Sequence, residues 1–387
     1  MIKTLAVENY RSIRNLVLPL SNLNVITGAN GSGKSNLFKA LRLLAEIYDG
    51  GVTKAVAMEG GLSSIFWAGA EASAVARNQR AANLGTANNG KKRLRLGFSG
   101  GEFGYAISLG LPPPPPPATS FSLDPEIKRE CVWAGETCRP SSLLIDRKSS
   151  HITLNSNREQ TAVAGKVPYY ESMLSYMGYD HRCPELGVLK DMVGRWRFYD
   201  SFRTDLGAPA RRAQIGTRTL ALHNDGRDLA AALQTIREIG DSDALDRTID
   251  EAFPGASVEV ATEDSGVFTI LFNQRGLLRP LRATELSDGT LRFLLLTAAL
   301  LTPRPPSMMV LNEPEASLHP ELLPALADLI KLAATRCQMW VITHSIVLSR
   351  ELERCDQMQL IVLEKEDGRT GIPGRGILDV PLWKWPD

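Results

Sequence analysis

The stretch Gly28-Ala29-Asn30-Gly31-Ser32-Gly33-Lys34-Ser35 decides how the rest of the chain is read. An apolar run, Leu23 to Thr27, precedes it, and Leu37, Leu41 and Leu44 follow at the i, i+4, i+7 spacing of a helix with one buried stripe. Strand, glycine-rich turn and helix in that order are the setting in which G-x-x-x-x-G-K-[ST] forms a phosphate-binding loop. Its glycines let successive backbone N–H groups turn inward, and the helix N-terminus adds partial positive charge. Gly28, Asn30, Gly31, Ser32, Gly33, Lys34 and Ser35 are therefore the candidate nucleotide-binding residues. In such a loop Lys34 bridges the β- and γ-phosphates, and the Ser35 hydroxyl reaches Mg²⁺.

Working outward, Met308 to Leu311 reads as a buried strand that runs into Asn312-Glu313-Pro314-Glu315. Carboxylates at such a strand end assist a metal or activate water, and Glu313 is the candidate general base. Asn312 stands where an Asp is usual. Its amide can hold a metal-bound water but brings no negative charge, so Mg²⁺ affinity rests more on Ser35 and the phosphates. Slow turnover, or nucleotide binding with little hydrolysis, stays open on this reading. Glu285-Leu286-Ser287-Asp288-Gly289-Thr290 precedes an apolar helix, where Ser287 and Gly289 offer a hydroxyl and free N–H groups, although alone this is an ordinary N-cap. Thr343-His344-Ser345 ends the next strand, which makes His344 a candidate γ-phosphate sensor rather than a structural histidine.

Taken in order, Gly28 to Ser35, Leu286 to Gly289, Asn312 to Glu315, Ser317 to Pro320 and His344 resemble the ATP-binding-cassette ATPases, more narrowly their RecF-like, SMC-related cytosolic branch. Val7 to Ile13 looks like that branch's opening strand. The resemblance implies an α/β P-loop NTPase fold, an ABC-ATPase-like split head with ATP and Mg as cofactors. It also implies a homodimer formed on ATP binding, in which Ser287 and Gly289 act in trans on the partner's phosphate loop. DNA repair or phage defence is the implied setting, with DNA and an effector or nuclease protein as candidate partners. Two family features are not expected: no heptad pattern marks a coiled-coil arm, and the short stretch after Leu363 is not expected to hold a nuclease domain. A transporter's nucleotide-binding subunit and a weakly hydrolysing ATP sensor are the rival readings.

The remaining sequence sets the frame. The chain has 387 residues, so the expected division is an N-terminal head part (1–50), a β-rich insertion (51–200), a helical element with a hairpin (201–282) and a C-terminal head part (283–387). The two head parts are expected to share one sheet. With 44 Lys+Arg against 43 Asp+Glu the net charge is +1, which leaves nucleic-acid binding to local patches. Two stretches qualify: Lys91-Lys92-Arg93 with Arg95, and Arg195 to Arg203 with its interleaved aromatics, although a solvated edge and a half-buried segment are the preferred readings. Arg11 and Arg14 are either surface residues or nucleotide contacts. Pro112 to Pro117 is expected to be an extended spacer, and Leu382 to Trp385 either packs on a sheet or forms an interaction tail. No signal peptide or membrane-spanning run is read, so the expected site is the cytoplasm with no membrane partner. Five cysteines without C-x-x-C spacing read as reduced structural thiols.

Overall fold

The computed structural model describes residues 1–67, 69, 92–113, 120–156, 159–163, 166–355, 357–376 and 381–386. Lys91 and Pro114 to Pro117 lie outside them. In chain order the strands are β1 (Ile2–Tyr10), β2 (Ile13–Pro19), β3 (Leu23–Thr27), β4 (Leu94–Gly100), β5 (Phe103–Gly110), β6 (Glu126–Ala134), β7 (Leu143–Lys148), β8 (His151–Ser156) and β9 (Glu159–Ala162). They continue with β10 (Arg197–Tyr199), β11 (Gln214–Ile215), β12 (Ser257–Thr262), β13 (Val267–Asn273), β14 (Leu281–Arg282), β15 (Met308–Asn312), β16 (Gln338–Ile342), β17 (Met358–Val362), β18 (Glu364–Glu366) and β19 (Arg369–Gly371). The helices are α1 (Lys34–Ile47), α2 (Val52–Met58), α3 (Leu62–Ile65), α4 (Met173–Met177), α5 (Pro184–Gly194), α6 (Leu229–Ile239), α7 (Ser242–Ala252), α8 (Asp288–Leu300), α9 (Leu323–Ala334) and α10 (Ile346–Leu352).

The chain divides into two compact units, residues 1–20, 28–195 and 362–387 in one, and 21–27 and 196–361 in the other. In the first, β1 and β2 belong to an eight-stranded sheet of order β2-β1-β4-β5-β6-β7-β8-β9, antiparallel throughout. Here the structure departs from the expectation drawn from the sequence. The β-rich stretch is no separate insertion, because β4 pairs with β1 from Leu5↔Phe98 to Glu8↔Arg95 and extends the opening hairpin. Only β3 of the N-terminal segment joins the C-terminal strands. The same stretch opens with α2 and α3, whose Val52, Val56, Leu62 and Ile65 are buried. Within the sheet a buried pair, Arg147 and Glu130 at 3.1 Å, is completed by the Tyr105 hydroxyl and the Met173 amide, both donating to Glu130. Full satisfaction of both charges is what makes such burial tolerable. The C-terminal segment packs on this sheet rather than leaving it: Trp383 lies edge-on to Trp133 and Trp385.

In the second unit a five-stranded sheet has the order β10-β15-β16-β3-β17, with β10, β15, β16 and β3 parallel. Continuous apolar runs such as Met308 to Leu311 and Met339 to Ile342 are buried, as parallel strands covered on both faces require. Helix α8 is apolar around most of its circumference, and Leu291, Phe293, Leu294, Leu295 and Leu296 all lie in the core beside α6 and α9. Burying each of these large side chains is worth about 1.5–3 kcal/mol. The expected hairpin is β12–β13, pairing from Ser257↔Asn273 to Thr262↔Phe268. The expected helices around Asp228–Arg237 and Asp243–Phe253 are α6 and α7.

Candidate functional site

Parallel strands bring their carboxyl ends to one edge. Tyr199 lies beside Leu311, Asn312 beside Ile342, and Ile342 beside Ile26. The residues that follow these strands in the chain are Asp200, Glu313, Thr343-His344 and, after Thr27, the glycine loop. This is the edge where open α/β sheets carry their chemistry.

In the loop, three glycines take backbone angles that other residues resist, with φ of 145° at Gly28, 78° at Gly31 and 109° at Gly33. Space adds a second constraint at two of them. A Cβ on Gly28 would lie 2.2 Å from the Leu363 carbonyl, and one on Gly33 would lie 2.1 Å from Thr370 Oγ1. At Gly31 the same position is open. Gly33 caps α1 without a side-chain hydrogen bond, and the first turn has no acidic residue, so the end of the helix dipole is not neutralised locally. Lys34 Nζ donates to the carbonyls of Gly28 at 2.5 Å and Ala29 at 2.9 Å. Ser32 is buried, and its hydroxyl has no protein partner. Asn30 and Ser35 are exposed.

The loop is held from behind by a residue that sequence reasoning missed. Thr370, on the β18–β19 hairpin, donates through Oγ1 to the Ser32 carbonyl at 2.8 Å and shares a 2.7 Å hydrogen bond with Ser12 Oγ. Asn36 Nδ2 donates to the same Ser12 oxygen at 2.7 Å. Arg11 and Arg14 turn to other tasks: Arg11 pairs with Glu59, and Arg14 lies 5.1 Å over the Trp67 ring.

At the sheet edge Glu313 takes a φ of 48°, unusual for a side chain with a Cβ, and Ser317 one of 63°. Two hydrogen bonds fix the turn at Glu313: its amide donates to the Ile342 carbonyl at 2.8 Å, and its carbonyl accepts from Arg292 at 3.0 Å. Its carboxylate lies 3.3 Å from His344 Nε2. Glu315 orders the backbone beneath this pair, its Oε1 accepting from the Thr343 hydroxyl (2.6 Å) and from the amides of His344 (2.9 Å) and Ser345 (3.1 Å). Its Oε2 is buried without a protein partner. Burial holds the Arg292 guanidinium below its ordinary value, against the pull of Glu315, Glu313 and Asp200. Asn312 Nδ2 donates to Asp200 Oδ1 at 2.7 Å.

The Leu286-Ser287-Asp288-Gly289 segment is anchored by Arg211, a buried side chain that donates to the carbonyls of Ala283 and Leu286 and to Asp288 at 2.8 Å. Ser287 is the exposed N-cap of α8, accepting from the Thr290 amide at 3.1 Å. Gly289 passes close to the turn after β15, since a Cβ there would lie 3.0 Å from the Ser317 carbonyl.

These features fit a bound nucleoside triphosphate. The unpartnered Ser32 hydroxyl, the glycine cradle and the uncapped α1 N-terminus are donors in search of an anion. Among the described residues no group of three or more His, Cys, Asp and Glu side chains is placed to hold a metal ion. A Mg²⁺ ion that came with the nucleotide would be held by phosphate oxygens as well as protein groups, the usual arrangement for this small, strongly hydrated ion.

The basic stretches offer less. Trp196, Tyr199 and Phe202 are buried and Phe198 is half-buried, so three of the four aromatics between Arg195 and Arg203 are core residues rather than a stacking platform. Arg203 is paired with Asp205 at 2.9 Å, and Arg95 with Glu8 at 3.4 Å. No helix among the described residues is long and apolar enough to cross a membrane.

Comparison with known proteins bears on the fold and the family. A search of functionally curated proteins finds no significant match. Among solved structures, an SMC head bound to the C-winged helix domain of ScpA is 17% identical, with a TM-score of 0.52 over 96% of this chain and 97% of that one. The SMC head domain from Thermotoga maritima is 16% identical, with a TM-score of 0.48 over 97% and 99%. The first of these shows the fold, an SMC-head-like P-loop ATPase fold. A family model described as "AAA domain, putative AbiEii toxin, Type IV TA system" matches residues 23–350, and the chain belongs to that family.

Proposed function

We propose that the protein is a Mg²⁺-dependent ATPase whose ATP-bound copies pair and whose hydrolysis separates them. The observation that carries this reading is the arrangement of the parallel sheet. Strand β3, which leads into the Gly28–Ser35 loop, lies in register with the strands that end in Asn312-Glu313 and Thr343-His344. In this reading the loop amides and Lys34 hold the phosphates. Ser35 and Asn312 hold Mg²⁺, which supplies charge neutralisation at the phosphates when bound. Glu313 orients and deprotonates the attacking water, and the imidazole of His344, 3.3 Å from it, senses the γ-phosphate. Ser287 and Gly289 complete the site of the opposing copy, the exposed Ser287 at the start of α8 being accessible to it.

Service in DNA repair or phage defence is the setting we favour, with a protein effector as the working partner. The SMC head that this chain resembles was solved with a protein domain bound, which supports a protein rather than a membrane partner. A second reading is a weakly hydrolysing ATP sensor, favoured by the neutral Asn312.

The test is ATP binding and phosphate release by the wild type beside Lys34→Ala and Glu313→Gln. Lys34→Ala is expected to lose binding by roughly a hundredfold or more as the charge on the β- and γ-phosphates goes. Glu313→Gln should bind ATP, lose turnover and accumulate as a dimer by light scattering. Retained micromolar binding by Lys34→Ala would sink the phosphate-loop assignment, and a monomeric, fully active Glu313→Gln would sink the general-base role. Wild-type binding without measurable phosphate release selects the sensor.

A further inference from the structure

The β15 strand ends in a neutral amide, yet a carboxylate stands beside it. Strand β10 runs parallel to β15 with Tyr199 beside Leu311, so the next residue along each strand brings Asp200 beside Asn312. The contact is made, Asn312 Nδ2 donating to Asp200 Oδ1 at 2.7 Å. An ionised carboxylate only accepts hydrogen bonds, so the amide must turn its nitrogen to Asp200 and its oxygen away. Asp200 also acts with Glu313 and Glu315 on the buried Arg292 guanidinium, which places it in the same local field as the proposed general base. The chain reaches this position through a fixed strand register rather than a loop.

We propose that Asp200 is a positioning residue that restores, one strand over, the negative charge that Asn312 lacks. Through the Nδ2 hydrogen bond it aims the Asn312 oxygen outward and strengthens the edge's hold on the divalent cation of MgATP. The proposal rests on the ATPase reading above and refines it, relocating the metal-assisting charge to a residue 112 positions earlier in the chain.

The experiment compares wild type, Asp200→Asn and the charge-swapped pair Asp200→Asn with Asn312→Asp, all checked for equal thermal melting. Binding of a fluorescent ATP analogue is titrated with MgCl₂, and Mn²⁺ binding in the presence of ATP is followed by electron paramagnetic resonance. Asp200→Asn is expected to raise the cation concentration at half-saturation about 10–100-fold, the usual cost of losing a partner behind a metal ligand, with analogue binding in EDTA unchanged. The swapped pair, its carboxylate moved onto β15, is expected to return to within about threefold of wild type. An Asp200→Asn protein within about twofold of wild type overturns the proposal. So does a swapped pair as weak as the single variant, because moving the carboxylate onto β15 restores the charge at this edge and should restore the cation's affinity. A wild type that binds no analogue under any condition overturns instead the nucleotide reading on which the proposal stands.

Discussion

Gly33 is the residue at which geometry and ligand chemistry press hardest on the same atom. Its φ of 109°, and Thr370 Oγ1 only 2.1 Å from where a Cβ would stand, leave no room for a side chain. Gly33→Ala is expected to introduce about 1–3 kcal/mol of local strain and to weaken ATP binding roughly tenfold or more, with the rest of the fold intact. Calorimetric titration with ATP beside a melting curve checks both halves; unchanged affinity would mean that the loop can reshape without cost. The loop and the Asn312 to Pro320 string are legible in the sequence because each is a short, local spacing. Asp200, Arg211 and Thr370 are not, because strand register or a long hydrogen bond brings them from distant segments. Asp200 is further hidden inside a segment whose arginines and aromatics draw a nucleic-acid reading, although Trp196, Tyr199 and Phe202 are buried.

At the scale of elements, the β18–β19 hairpin serves as a strut beneath the phosphate loop. Thr370 holds both the Ser32 carbonyl and Ser12, so the loop's shape depends on a segment more than 330 residues downstream. Thr370→Val keeps the volume and removes the hydroxyl. Loss of one such hydrogen bond costs about 0.5–1.5 kcal/mol, which should appear as a several-fold weaker ATP affinity if the loop carries it. Isothermal titration of the two proteins distinguishes this from a change in stability alone. Element identities are largely readable: α6, α7, α8, β12 and β13 lie where periodicity puts them. Strand partnership is not, since alternation in β1 states which face is buried but says nothing about which strand lies beside it. For that reason the sequence suggests a common sheet for β1, β2 and β3, whereas β1 and β2 extend the antiparallel sheet.

At the scale of the whole molecule, the near-neutral charge and the buried aromatics argue against DNA as a strong activator. Duplex DNA is expected to change the ATPase rate by less than about twofold, and a stimulation falling steeply with salt would reinstate the arginine patch as a binding surface. All five cysteines are free. Burial pushes the Cys337 and Cys183 thiols from an ordinary 9.0 up to about 11. The folded state therefore favours the protonated thiols: their contribution to stability is complete below pH 9 and is lost as the pH rises through about 11. Melting curves should fall in temperature over that window, and a disulfide reagent at pH 8 should label the native protein far more slowly than the denatured one. The path of the chain through the parallel sheet carries a consequence for its birth. Strand β3 leaves the ribosome early but sits between β16 and β17, which are synthesised roughly 300 residues later. At about 5–20 residues per second, its apolar side chains and unpaired edges wait on the order of 15–60 s for their neighbours. Translation speed and chaperone supply, rather than the stability of the finished fold, should then govern how much active protein a cell obtains.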